Sequence, residues 1–83
     1  MIDIKFVKDE NRAVAYDNEL EVGECNFIET ENTWNITHTG VNSEYQGKGI
    51  AKKLVECVIE NSRNYEKRLV ADCSYAKNVI ESK

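Results

Sequence analysis

Hydrophobic and polar residues alternate over the first half of the chain, which is the pattern of β-strands that bury one face. Four segments show this alternation, at residues 2–7, 12–17, 20–28 and 33–41. Asp17 and Asn18 suit a tight hairpin turn, and polar clusters at residues 9–11 and 29–32 suit the other two turns. Because short turns join antiparallel neighbours, this half of the chain predicts an antiparallel meander of about four strands.

The alternation changes phase twice, each time close to a glycine. In the third segment Leu20 and Val22 fall on one face, whereas Cys25 and Phe27 fall on the other. One extra residue in a strand moves the following side chains to the other face, and glycine often marks such a site. We therefore expect a bulge or bend at Gly23.

The fourth segment changes phase in the same way, near Gly40. Trp34, Ile36 and His38 share one face, while Val41 falls on the other. Two interpretations are open at this point. A bulge at Gly40 would release backbone groups from the sheet, where they could bind a ligand. Alternatively, the strand ends at this glycine.

The second half of the chain has the periodicity of a helix, then a strand, then a short helix. A helix is predicted from about Gln46 to Tyr65, with an apolar face formed by Ala51, Leu54, Val55, Val58 and Ile59. A continuous apolar run at residues 68–73 is typical of a buried strand. Residues 74–83 predict the closing helix. Since a strand, a crossover helix and a second strand make a parallel β-α-β unit, we predict one α+β domain over residues 1–83.

Composition limits the possible partners. The chain has 83 residues and a net charge of −4, with 41% hydrophobic and 31% charged residues. A nucleic-acid-binding domain normally carries the opposite charge. No apolar run approaches the roughly 18 residues of a membrane span, and the N-terminus lacks the features of a signal peptide. We expect a cytoplasmic protein that binds neither nucleic acid nor membranes.

Three cysteines and one histidine limit the metal and redox chemistry. Cys25, Cys57 and Cys73 are widely spaced, no C-x-x-C motif is present, and His38 is the only histidine. This set suits neither a disulfide framework nor a zinc site. We interpret Cys25 and Cys57 as core residues and predict no metal site.

A glycine-containing loop directly before the long helix is the clearest candidate for a ligand site. Unpaired N–H groups at a helix start attract phosphate, so three phosphate-loop motifs can be compared with QGKGIAK, residues 46–52. A P-loop is excluded because the segment lacks its spacing and the hydroxyl residue after the lysine. A dinucleotide-binding motif is disfavoured because Lys52 takes the place of its third glycine.

The third motif, Q/R-x-x-G-x-G/A, is matched by Gln46, Gly49 and Ala51. Here the chain resembles the GNAT acyltransferase superfamily, whose members bind the pyrophosphate of acetyl-CoA at this turn. As a whole it resembles the very small GNAT-like acetyltransferases, in which the strand after the helix often ends in a cysteine before a short, tyrosine-containing helix. The segment ADCSYAKNVIESK fits that pattern. The resemblance implies a GNAT-like fold and acetyl-CoA as co-substrate.

The resemblance also implies a role for each position of the motif. Backbone N–H groups would hold the pyrophosphate, Gln46 would fix the loop, and Val41 would offer backbone hydrogen bonds to the pantetheine arm. Lys48 and Lys52 either add charge near the phosphates or are solvated helix residues. The implied cofactor-binding residues are Val41, Gln46, Gly47, Lys48, Gly49, Ile50, Ala51 and Lys52.

Three residues are candidates for catalysis, each with a structural alternative. Cys73 could accept the acetyl group as a nucleophile or close the core. His38 could act as a general base or be held by a neighbour on a strand face. Tyr75 could protonate the departing CoA thiolate or pack on the sheet. Glu44 would repel phosphate and is expected to face solvent, and Trp34 is expected in the core.

Three functions are therefore weighed. The first is an acetyl-CoA-dependent N-acetyltransferase that acts on an unknown amine, directly or through acetylated Cys73. The second is a non-catalytic CoA-binding module, and the third is a structural or interaction domain. Because the chain lacks the N-terminal helices that usually shape the acceptor site in this family, the acceptor stays undefined. A monomer or weak homodimer is expected.

Overall fold

The computed structural model describes residues 1–82, so Lys83 of the predicted closing helix lies outside the described residues. The strands and α-helices are β1 (Ile2–Val7), β2 (Arg12–Asp17), β3 (Leu20–Glu29), β4 (Thr33–Val41), α1 (Ile50–Asn64), β5 (Arg68–Ala71) and α2 (Ser74–Glu81). Short 3-10 turns at Lys8–Glu10 and Ser43–Tyr45 follow β1 and β4. Within the described part of the chain, neither helix is long and apolar enough to cross a bilayer.

The five strands form one sheet in the order β1-β2-β3-β4-β5. The first four pair antiparallel in succession, and β5 pairs parallel with β4. The predicted α+β architecture, a meander followed by a β-α-β unit and a short helix, is confirmed. The β2–β3 hairpin turns at Asn18, whose φ of 58° is a left-handed conformation that asparagine tolerates well.

Helix α1 covers one face of the sheet because its apolar side chains form a stripe along a single side. The buried residues of this stripe are Ile50, Leu54, Val55, Val58, Ile59 and Ser62. The predicted stripe began at Ala51, which is only half-buried. Ile50 takes that place in the core, one position earlier.

The helix itself begins at Ile50, four residues later than predicted. Gly47 and Gly49 adopt φ angles of 79° and 78°, which are outside the helical region. Residues 46–49 therefore form a turn instead of the first turn of α1. Helical periodicity extends through this turn in the sequence, but the backbone of the two glycines does not follow it.

A bulge in β3 confirms the phase change predicted at Gly23. Gly23 pairs with Ala15 and Glu21 pairs with Tyr16, so Val22 is the extra residue between them. Val22 is fully buried in the core that α1 completes. Val22 at the bulge and Cys25 and Phe27 after it therefore reach the same core, whereas Leu20 before it is 58% exposed.

The bulge in β4 lies three residues before the predicted position. The pairing of β3 with β4 shifts at Thr37, whereas Gly40 pairs regularly with Glu24 and β4 continues to Val41. Both interpretations of Gly40 are therefore wrong. The apolar pattern placed the phase change between His38 and Val41 because Thr37 is polar and gives no hydrophobic signal of its own.

This bulge decides which residues of β4 face α1. Trp34 and Ile36 are fully buried under the helix. After the bulge, Thr39 and Val41 take that face, since Thr39 contacts a core thiol and Val41 packs against the core. His38 alternates to the opposite face. The predicted grouping of His38 with Trp34 and Ile36 is therefore wrong.

Strand β5 is an edge strand, shorter and more exposed than predicted. It ends at Ala71 instead of Cys73, and Val70 is 41% exposed. Leu69 and Ala71 pack against the core, so the strand alternates. The continuous apolar run suggested burial on both faces, but the core covers only one face at this edge of the sheet.

Candidate functional site

Strands β4 and β5 separate from each other halfway along β4. Their last paired residues are Ile36 and Ala71. The N–H groups of Asp72 and Cys73 then both donate to the Ile36 carbonyl oxygen, at 3.0 and 3.2 Å. From Thr37 onwards, β4 pairs with β3 only. An opening therefore begins at Thr37, bounded on one side by the unpaired edge of β4.

Two glycines shape the turn between β4 and α1. Apart from chain neighbours, no heavy atom lies within 4 Å of where a Cβ would stand on Gly47 or Gly49. The first helical hydrogen bond runs from Lys53 N–H to the Gly49 carbonyl at 3.2 Å. The N–H groups of residues 50–52 therefore have no partner within the helix. This end of α1 carries the positive end of the helix dipole, which attracts anions.

Side chains hold this turn against the rest of the domain. The Tyr45 hydroxyl donates to Asp17 Oδ2 at 2.7 Å, and the Gln46 side-chain amide donates to the Val41 carbonyl at 3.3 Å. The hydrogen bond from Tyr45 lowers the pKa of Asp17. Lys48 Nζ lies 5.9 Å from the centre of the Tyr45 ring. Gln46 thus links the turn to the end of β4, and Tyr45 links it to the β2–β3 hairpin.

The opening widens into a cleft of about 530 Å³. The predicted site residues that line it are Val41, Gln46, Gly47, Gly49, Ile50, Ala51 and Tyr75. Thr39, Gly40 and Tyr45 also line it and were not predicted. Lys48 and Lys52 are predicted site residues that do not line the cleft. Both are exposed, and both are next in sequence to residues that line it. A bulge placed at Thr37 would have identified Thr39 as a site residue, because Thr39 and Val41 then lie on the same face of β4.

Cys73 lies beside the cleft, between the end of β5 and the start of α2. Its Sγ is 3.7 Å from Thr39 Oγ1, and it occupies the N-cap position of α2 without a standard capping hydrogen bond. Burial alone would raise the pKa of this thiol. The N–H groups of Ala76 and Tyr75 and the Thr39 hydroxyl outweigh burial, so the pKa of Cys73 lies below its ordinary value. A lowered pKa increases the fraction of reactive thiolate.

The other two catalytic candidates lie on different sides of β4. Tyr75, 42% exposed at the start of α2, lines the same cleft as Thr39. The ring of His38 instead lies over Gly40, where a Cβ would stand 2.9 Å from Nε2, and it lines a separate depression of about 260 Å³. Tyr75 therefore lines the cleft and Cys73 lies beside it, in contact with Thr39, whereas His38 is not brought to them.

The other residues considered in the sequence lie away from the cleft lining, in the core or on the surface. Cys25 is fully buried, and burial raises its pKa to about 11. Cys57 is half-buried on α1, and burial raises its pKa as well. Trp34 lies in the core and Glu44 is exposed, as expected. Within residues 1–82 no group of three or more His, Cys, Asp or Glu side chains could hold a metal ion.

Solved structures match the chain over most of its length. A GCN5-like protein of Staphylococcus aureus, assigned as an N-acetyltransferase, has a TM-score of 0.72 and 35% identity over 96% of this chain and 78% of that one. A GCN5-related N-acetyltransferase from Sphaerobacter thermophilus has a TM-score of 0.69 and 28% identity over 75% and 21% of the two chains. A chain of the NatC complex, solved with Gag peptide and CoA, has a TM-score of 0.66 and 28% identity over 88% and 55%. No curated protein matches significantly.

The separated strands, the glycine turn and these matches define the class of protein as an acetyltransferase. The family model described as GCN5-related N-acetyl-transferase matches residues 12–83. The chain belongs to the GCN5-related N-acetyltransferase family, which uses acetyl-CoA, and the resemblance noted in the sequence is confirmed. It spans about a fifth of the Sphaerobacter protein and about half of the NatC chain.

Proposed function

We propose that the chain binds acetyl-CoA in the cleft between β4 and β5 and transfers the acetyl group to an amine by way of Cys73. The observation that carries this proposal is the extent of the cleft, which reaches from the glycine turn of α1 to Thr39, beside Cys73. The pyrophosphate and the thioester stand at opposite ends of the pantetheine arm. A site for the whole molecule therefore needs an anion-binding end and a reactive end, joined by an open channel.

The anion-binding end is formed by the turn at the start of α1. Gly47 and Gly49 have no side chains to keep a phosphate at a distance from the backbone N–H groups. The N–H groups of residues 50–52 are left without helical partners and point to the same end of α1. The exposed lysines Lys48 and Lys52 supply positive charge next to this turn.

The unpaired edge of β4 is suited to the pantetheine arm. This arm contains two amide groups, and an exposed strand edge offers N–H and C=O groups to such a ligand. Val41 stands at the end of that edge and lines the cleft. Its carbonyl already accepts a hydrogen bond from Gln46 and keeps a second lone pair for a ligand.

At the reactive end, the Cys73 thiolate attacks the thioester carbonyl and forms a new S–C bond. The bond between the carbonyl carbon and the CoA sulfur breaks, and the Tyr75 hydroxyl gives its proton to the departing CoA thiolate. The acceptor amine then attacks the acetyl-cysteine, Cys73 leaves as the thiolate, and the proton lost by the amine returns to Tyr75. The net reaction converts acetyl-CoA and an amine into CoA and an acetylated amine.

His38 has no part in this route because it faces the other side of β4. The acceptor in the proposal is any amine small or extended enough to reach the open side of the cleft.

Intact mass after incubation with acetyl-CoA, without an acceptor, tests the proposal. The native chain is expected to gain one acetyl group, and peptide mapping is expected to locate it on Cys73. Cys73→Ala should gain none while it still binds CoA. Cys57→Ala is the matched control, since Cys57 is also partly buried but lies on α1 away from the cleft lining, and it should be acetylated like the native chain.

Two results would count against this function. Turnover with an amine that persists in Cys73→Ala would show direct transfer and remove the covalent step. Binding of CoA without acetylation or turnover would instead favour a non-catalytic CoA-binding module.

A further inference from the structure

The Thr39 hydroxyl lies between two thiols. Its Oγ1 is 3.5 Å from Cys25 Sγ, to which it donates, and 3.7 Å from Cys73 Sγ, from which it accepts. Cys25 belongs to β3, Thr39 to β4, and Cys73 follows β5, so the three groups connect neighbouring strands. One end of this hydrogen-bond chain is in the core, and the other is beside the cleft.

The two hydrogen bonds must reverse their direction when Cys73 ionises, because the thiolate has lost its hydrogen. A threonine hydroxyl has one hydrogen to donate and two lone pairs. While Cys73 is a thiol, that hydrogen points to Cys25. A Cys73 thiolate can only accept, so Thr39 turns its hydrogen towards Cys73 and accepts from the Cys25 thiol. No heavy atom has to move, because all three groups are already within hydrogen-bonding distance.

Cys25 is suited to the buried end of this row of hydrogen bonds because its thiol keeps its hydrogen. The side chain is fully buried, and burial raises its pKa to about 11. It is therefore a thiol, and a donor, at neutral pH. An alanine or valine at this position would pack in the core but could not donate to Thr39.

Thr39 is the side chain that hydrogen-bonds to the Cys73 sulfur, and several titratable side chains lie on the elements around it. They are Cys57 on α1, His38 on β4, Asp72 before α2, and Tyr75 and Lys77 on α2. Asp72 accepts a hydrogen bond from the Asn35 amide at 2.9 Å, and His38 faces the other side of the sheet. Lys77 lines a groove next to β5, and Tyr75 lines the cleft. Backbone N–H groups of Ala76 and Tyr75 at the start of α2, and of Thr39 itself, complete the surroundings of the sulfur.

We propose that Thr39 is a positioning residue that holds and stabilises the Cys73 thiolate, with the buried Cys25 thiol as the donor behind it. Its use in catalysis rests on the proposed acetyl-cysteine route. The arrangement itself is a property of the free protein and can be measured without acetyl-CoA.

The rate of Cys73 alkylation by iodoacetamide, measured against pH with peptide mapping, tests this assignment. In Thr39→Val, which keeps the shape and removes the hydroxyl, the midpoint of the pH profile should rise. Alkylation at neutral pH should then slow by about tenfold, as expected for loss of a hydrogen bond to a charged group. Thr39→Ser should restore the native midpoint. Cys25→Ala should raise the midpoint in the same direction by a smaller amount, about threefold in rate, because the thiolate keeps Thr39 but Thr39 loses its donor.

Melting curves establish that each variant is folded, and Thr39→Ala is the second variant without a hydroxyl. A native midpoint in either folded variant would overturn the proposal, as would a Thr39→Ser midpoint shifted as far as that of Thr39→Val. If neither Thr39→Val nor Thr39→Ala folds, an unshifted midpoint in Cys25→Ala overturns it. If the native chain is never acetylated by acetyl-CoA, the proposed function is wrong. The alkylation midpoints of the variants would still test the role of Thr39, because they are measured without acetyl-CoA.

Discussion

The two halves of β4 differ in pairing, burial and chemistry. Residues 34–36 pair with β3 on one side and β5 on the other, and Trp34 and Ile36 are fully buried. After the bulge at Thr37, residues 38–41 pair with β3 alone, and Thr39 and Val41 face the cleft there. A single strand thus belongs to the closed interior of the sheet over its first half and to the site over its second.

Aromatic packing accounts for the stability of the closed half. The Trp34 ring centre lies 4.3 Å from that of Phe27, 5.7 Å from that of Phe6 and 5.5 Å from that of Tyr65. In a domain of this size the core is small, so one such cluster carries a large share of the buried apolar area. Stability is therefore concentrated at one end of β4, while the backbone at the other end keeps an unpaired edge for a ligand.

Removing the aromatic centre of the closed half should have the largest effect on stability. Trp34→Ala is expected to lower the free energy of unfolding by about 3–5 kcal/mol, because it leaves a large cavity in the core. That loss is comparable to the whole stability of a small domain. Urea denaturation measures it. Ile28→Ala, at a 56% exposed position of β3, is the control and should change the stability by less than about 0.5 kcal/mol.

A change in the glycine turn should affect binding far more than folding. Gly49→Glu is expected to weaken acetyl-CoA binding at least ~100-fold, which removes about 2.7 kcal/mol of ligand stabilisation from a melting experiment at saturating ligand. Gly49→Ala is the matched control. It has the same backbone strain at φ of 78° and the same open space around its Cβ, but no carboxylate.

Equal loss of affinity in Gly49→Ala and Gly49→Glu would show that backbone strain, and not the negative charge, disturbs the turn. Native affinity in Gly49→Glu would contradict the assignment of this turn to the phosphates.

The exposed lysines beside the turn should have a smaller effect, which salt should reduce. Lys48→Gln is expected to weaken acetyl-CoA binding a few-fold at low ionic strength, because Lys48 is exposed and its charge is screened by solvent. Lys53→Gln is the control, since Lys53 is also exposed, near the start of α1, but lines a different depression. Titration calorimetry at two salt concentrations separates the two lysines, and equal losses would remove Lys48 from the site.

Acid should weaken an ion-pair cluster at the closed end. Hydrogen bonds from Lys8, then Lys67, lower the pKa of Glu29 from 4.5 to about 2. A carboxyl whose pKa is depressed by folding adds stability above its unfolded pKa, and that stability is lost as pH falls through the folded pKa. Glu29→Gln should therefore flatten the loss of stability between about pH 4.5 and pH 2. Melting temperature against pH measures this, with the exposed hairpin variant Glu19→Gln as control.

Long periodic segments could be predicted from the sequence because burial on one face repeats many times within them. The stripe of α1 from Leu54 to Ile59 and the four antiparallel strands are of this kind. The start of α1 was misplaced because the periodicity continues through Gly47 and Gly49, whose backbone leaves the helical region. The glycine motif itself was identified through its resemblance to a family.

Single-residue events could not be located from apolar spacing. The bulge at Thr37 was placed three residues late because no apolar side chain marks it, and this error also reversed the face of His38. The hydrophobic pattern likewise cannot predict contacts between polar residues that are far apart in the sequence. Tyr45 and Asp17, 28 positions apart, are an example, and so is the contact of Thr39 with Cys73.

An NMR titration of the isotopically labelled chain with CoA tests whether the ligand occupies the open half of β4, because it reports on both halves of the strand at once. We expect the largest amide shift changes at Val41 and at residues 47–52, with Trp34 and Ile36 nearly unchanged. Shift changes concentrated around His38 on the opposite face, or none at saturating CoA, would contradict this expectation.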